Sequence, residues 1–245
     1  MSTTTAAWGV NNRTARAAGF LYLIVVVTGF FSLIYVPSQT IVPGDVMATV
    51  ANITKSKLLF QLGIVSAFAC YAAFLLLPLV LYKLLSPTGA PAAALMVAFA
   101  VVSVPISFVN LGHRLDTLTL LSGAPYLEAF PTEQLHAQVQ LTLDAYKSGL
   151  RIAEIFWGLW LLPFGYLVFR SGRLPKVLGI LLMLGCFGYL IDCVGSALYV
   201  DFTETVAAGV ATLPAALGEI GTCLWLLIVG IRDPHRSIPP TTNAA

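Results

Sequence analysis

Charge is what this sequence has least of. Lys, Arg, Asp and Glu make up only 10% of its 245 residues, while 58% are hydrophobic. A surface that faces water takes about 25% charged residues. The surface of this protein must therefore face another medium, and lipid is the obvious one. The basic residues are too few and too scattered for a nucleic-acid surface, so no nucleic-acid partner is expected. Cysteine is scarce as well. Cys70, Cys186, Cys193 and Cys223 lie inside apolar runs with no CxxC or CxxxH spacing. They read as small packing residues and not as a disulfide framework. No GxSxG, Walker loop or HExxH is present. No cofactor is expected, and no internal repeat is evident.

What the sequence does have is long apolar runs. Six can be marked, at about 17–36, 58–85, 92–112, 150–169, 177–199 and 213–231. Each is long enough to cross roughly 30 Å of hydrocarbon. The fold class is thus all-α, a polytopic bundle of six transmembrane helices forming one domain over 13–234. Residues 1–12 and 235–245 read as disordered ends. The first run follows Arg13 and Arg16, as a signal peptide would, but it is too long and no A-x-A site follows, so it reads as a retained helix. Pro78 is expected to break the second run and Pro105 to kink the third; Pro163 lies inside the fourth.

Orientation follows from Lys and Arg. With the N-terminus inside, Arg13, Arg16, Lys83, Arg170, Arg173, Lys176, Arg232 and Arg236 fall on the inner side. Lys55, Lys57, Arg114, Lys147 and Arg151 fall outside. The short segment from Arg170 to Lys176 is basic with no acid, and the loop around Asp201 and Glu204 has no base. Both termini are therefore expected in the cytoplasm, the membrane being the bacterial inner membrane. Two amphipathic helices are expected on the outer side. One spans 45–57 with Asp45 as N-cap. The other spans 132–148 and either lies on the interface or extends the fourth span.

One stretch is distinctive. Phe156-Trp-Gly-Leu-Trp-Leu-Leu-Pro-Phe-Gly-Tyr-Leu-Val-Phe-Arg-Ser-Gly-Arg-Leu-Pro-Lys176 runs on through Val177-Leu-Gly-Ile-Leu-Leu to Gly188-Tyr-Leu-Ile-Asp192. It resembles the bacterial membrane family known as domain of unknown function 4386, as does Asn52-Ile-Thr with Leu59-Phe-Gln-Leu-Gly63. The resemblance covers about Arg13 to Pro234. It implies a multi-pass membrane protein and carries over no catalytic residues.

Polar residues inside the spans are the candidate site. An ionisable group near the bilayer centre costs roughly 2.5–3.5 kcal/mol on insertion scales, a cost that pairing, water or function must offset. Glu154, Asp192 and Glu219 lie inside spans, while Asn110, His113, Arg114 and Asp116 stand at the outer end of the third and Arg151 opens the fourth. With the expected topology all eight fall in the outer third of the bundle. They form the proposed ligand-binding set, for a small solute, proton or ion. An acid without a basic partner is a candidate proton carrier. The competing structural reading has Arg114 and Arg151 neutralise the acids as buried pairs that fix helix packing. A third reading is an enzyme acting on a lipid-type substrate with one acid as general acid or base. His113 and Asp116 have a two-ligand metal spacing, but Arg114 between them opposes a cation, so no metal is expected. Trp157, Trp160 and Trp225 read as packing or interface anchors, and Gly158 and Gly165 as a close helix contact. Membrane lipids are the expected partners, with a small molecule or ion as ligand.

Overall fold

The computed structural model describes residues 12–199, 202 and 205–231. The expected disordered ends, apart from Asn12, lie outside the described residues, as do Asp201, Glu204, Arg232, His235 and Arg236. Among the described residues all regular structure is helical, and six helices are long and apolar enough to span a membrane. The protein is a multi-pass membrane protein. Its side chains agree with that medium: Leu198 and Val206 are each 83% exposed and Val109 is 79% exposed. Isolated exposed leucines are ordinary, but a whole surface of them is not found on a soluble monomer.

The first span runs from Asn12 to Thr40 as α1 (Asn12–Gly29), a π-helical segment (Phe30–Tyr35) and α2 (Val36–Thr40). A short helix, α3 (Val46–Lys55), follows. Asp45 caps it, its Oδ1 accepting from the Ala48 amide at 2.9 Å. The later spans are α4 (Lys57–Leu85), α5 with its continuation α6 (Ala90–Asn110 and Gly112–Leu120), α7 (Thr132–Ser171), α8 (Lys176–Leu198) and α9 (Val206–Ile228). The segment 132–148 extends the fourth span: α7 is one helix of 40 residues. It stops at Gly172, whose φ of +63° is the left-handed turn that ends a helix without a Cβ clash. Pro78 does not break α4, which runs uninterrupted for 29 residues. Neighbouring helices in a bundle can satisfy the carbonyl a proline leaves free.

The six spans form a ring in the order α1, α4, α5, α7, α8, α9, with α9 returning to α1. Small residues set the spacing. A Cβ at Gly165 would lie 2.6 Å from the Gly179 carbonyl oxygen, and one at Gly185 would lie 2.7 Å from the Ala215 Cα. These glycines let the α7–α8 and α8–α9 backbones touch. Gly19 does the same between α1 and α9, where a Cβ would meet the Leu227 nitrogen at 2.7 Å. Aromatic rings fill the interior. Trp160, 1% exposed, stacks on Phe164 at 5.0 Å and meets Phe74 edge-on at 5.1 Å.

Candidate functional site

Above Gly19, α1 and α9 part, and a cavity of about 450 Å³ fills the gap. That is within the size range of small-molecule sites. Its walls come from α1, the π segment, α4, α7, α8 and α9. The side chains at its edge are apolar and turned outward: Phe30 and Ile34 are 58% exposed and Leu213 is 54% exposed. In a bilayer, exposed apolar side chains of this kind face acyl chains. Deeper in, the wall is aromatic, with Tyr22, Tyr71, Phe74, Trp157, Trp160 and Tyr189.

Among the described residues one charged side chain lines this space, Glu219 of α9. The Tyr22 hydroxyl donates to its Oε1 at 3.0 Å, joining the two helices that flank the opening. α9 starts at Val206, several residues before the expected start of the sixth span. Glu219 therefore sits near the middle of its 23-residue helix, and not two turns from one end.

The eight predicted residues occupy separate places. Glu154, Asp192 and Arg151 meet across the α7–α8 contact, near enough to act on one another electrostatically. The Cys193 thiol donates to the Arg151 carbonyl at 3.9 Å in the same seam. Tyr189 stands between this trio and the cavity, its Cβ only 2.7 Å from where a Cβ of Gly158 would be. Asn110 ends α5 and donates to the Tyr146 carbonyl at 2.9 Å. His113 and Asp116 pair at 3.7 Å on an exposed face of α6. Among the described residues no group of three or more His, Cys, Asp or Glu could hold a metal ion.

Arg114 belongs to neither group of acids. It is 1% exposed and lies against rings, its guanidinium carbon 4.3 Å from the Tyr146 centroid and 5.6 Å from that of Phe60. One Nη donates to the Ser32 carbonyl at 3.2 Å. Ser32 lies in the π segment, where the widened helix alters the ladder and a carbonyl can take a side-chain donor. Among the described residues no ion pair within 4.0 Å joins Arg114 or Arg151 to Glu154, Asp192 or Glu219. Arg151 therefore acts on Glu154 and Asp192 from beyond direct ion-pair distance.

The distinctive run from Phe156 to Asp192 therefore builds the α7–α8 seam and one wall of the cavity. Residues 17–230 match the family model described as Domain of unknown function (DUF4386). The chain belongs to this family. An uncharacterized protein of Archaeoglobus fulgidus is 36% identical over 88 residues, a match that takes in 36% of this chain and 50% of that protein. The chain thus spans about half the length of this relative. No solved structure matches.

Several wall residues of this DUF4386 protein were not among the predicted set. Tyr22 is the chief one, and its signal was visible: a phenol among Phe20, Leu21, Leu23 and Ile24, well inside an apolar run. A buried phenol needs a hydrogen-bond partner, and in lipid that partner must come from another helix. Tyr189 has the same signature, three residues before Asp192.

Proposed function

We propose that this DUF4386 protein, set in the bacterial cytoplasmic membrane with both termini inside, takes an amphipathic small molecule sideways from the bilayer into the cavity between α1 and α9. Glu219 anchors the polar end of that molecule, and the aromatic wall receives its body. The observation that carries the reading is the combination of a mouth edged by exposed apolar side chains and a carboxylate held by Tyr22 inside. An isolated polar wall residue in an apolar cavity fixes ligand orientation. In this topology α3 lies on the outer side. The reading narrows the predicted ligand set from eight residues to Glu219. The enzyme alternative uses the same mouth and the same carboxylate, with the Tyr22 hydroxyl as second group; it is marked by turnover of a lipid-type substrate. The accessory-subunit alternative rests on the Arg151, Glu154 and Asp192 group at the α7–α8 seam, which would then only specify packing.

The test uses full-length protein in nanodiscs, with Trp8 and Trp225 replaced by Phe so that Trp157 and Trp160 report. A bromoalkyl alcohol should quench their fluorescence saturably, and the unbrominated alcohol should relieve it. Ala216→Trp, which fills the mouth, should remove the competable part of a further bromoalcohol's protection of Glu219 from a hydrophobic carbodiimide. Quenching that never saturates, or Glu219 labelling indifferent to ligand, refutes the reading.

A further inference from the structure

Resting on the laterally open cavity argued above, we propose that its occupant is a lipophilic monocation, an organic onium or protonated amine with aromatic or alkyl arms. The first argument is charge. Among the described residues Glu219 is the one formally charged residue on the wall, and no Lys or Arg lines it. An anion would meet a carboxylate and no counter-charge. A cation would supply the counter-charge that the wall lacks among the described residues.

The second argument is the kind of surface. Six aromatic side chains line the interior. A desolvated cation over ring faces gains more than a neutral group of the same shape. The third argument is the acceptor left free. Tyr22 gives its hydroxyl hydrogen to Glu219 at 3.0 Å. The carboxylate keeps acceptor capacity beyond the bond from Tyr22, enough for an ammonium N–H as well.

The experiment compares three probes of similar build on the full chain in nanodiscs: tetraphenylphosphonium, neutral triphenylphosphine oxide and anionic tetraphenylborate. Competition with the bromoalcohol gives the affinities. Tetraphenylphosphonium should bind at least about tenfold more tightly than the neutral oxide, and tetraphenylborate should not compete. Glu219→Gln should cost the cation about tenfold or more and not weaken the oxide, whose retained binding also shows that the variant cavity is intact. Tyr189→Leu should cost the cation several-fold and the oxide less. Equal binding of cation and oxide by the wild type overturns the cation inference. So does failure of the phosphonium to compete while the bromoalcohol still quenches saturably; the lateral cavity stands in both cases. Loss of saturable quenching altogether overturns the lateral cavity and this inference together.

Discussion

Arg114 allows a quantitative test of how this fold carries a buried charge. Its guanidinium is sheltered by Tyr146 at 4.3 Å and Phe60 at 5.6 Å and bonded to the Ser32 carbonyl at 3.2 Å. A hydrogen bond from a charged donor contributes about 1.5–3 kcal/mol, and a desolvated cation–ring contact about 2 kcal/mol. Burying the ion costs several kcal/mol. The two sides nearly cancel, so Arg114→Met, which keeps the volume, should change stability by less than about 2 kcal/mol, on the neutral or stabilising side. Tyr146→Leu alone should be worse, because it leaves the cation without its nearest ring: a loss of about 3 kcal/mol, of which about 2 kcal/mol is the cation–ring contact. In the Arg114→Met background the same change should cost only about 1 kcal/mol, the packing share of that loss. The double-mutant cycle therefore predicts a coupling of about 2 kcal/mol. Reversible unfolding in mixed micelles by SDS titration, followed by tryptophan fluorescence, reads it. A coupling below about 0.5 kcal/mol, within the usual additivity error, would refute the claim that rings stabilise this charge.

Three further outcomes follow from the geometry. Tyr22→Phe removes the hydroxyl that bonds Glu219, so a hydrophobic carbodiimide should modify Glu219 faster, by mass spectrometry, and stability should fall by about 1.5–3 kcal/mol; an unchanged labelling rate contradicts the contact. Gly165→Val puts a side chain where a Cβ alone would be 2.6 Å from the Gly179 oxygen, and should destabilise by about 1–3 kcal/mol or more. Gly209→Ala, with nothing within 4 Å of its Cβ, should stay within about 0.5 kcal/mol; equal effects would deny the close packing of α7 on α8. For topology, Lys55→Cys and Arg173→Cys on a cysteine-free background should react with an impermeant maleimide from opposite faces, and reaction from one face rules out the six-span arrangement.

The spans were legible because lipid imposes a length and a polarity that composition records directly. Asp45 was legible because a helix start needs an acceptor for its free amides. The depth of Glu219 was not. The first two turns of α9, Val206 to Thr212, are mostly small residues that weigh little in hydropathy yet form helix. Helical spacing also gives the stripe a residue occupies but not the direction in which the helix is turned. Glu154 and Asp192 were legible as neighbours of small residues, and Gly158 places them across one seam. Arg114 was read with the acids because it shares their depth. It stands apart because α6, which continues the third span past Leu111, packs on α7 and sets Arg114 against Tyr146.

The ring of spans is closed where α1 meets α9, and no loop joins those two helices. Synthesis delivers α1 early and α9 late. Until α9 arrives, the Tyr22 hydroxyl has no Glu219 to bond, and the aromatic wall has no charge facing it. The cavity is therefore made at the moment the last described span enters the membrane. What then holds the seam includes Gly19 against Leu226 and Leu227, the Cys223 thiol donating to the Gly19 carbonyl at 3.6 Å, the Tyr22–Glu219 bond, and the Ile231 amide donating to Asn12 at 3.1 Å. Before that, the other five spans would form an open ring whose apolar groove lacks Glu219, the charged side chain on its wall among the described residues.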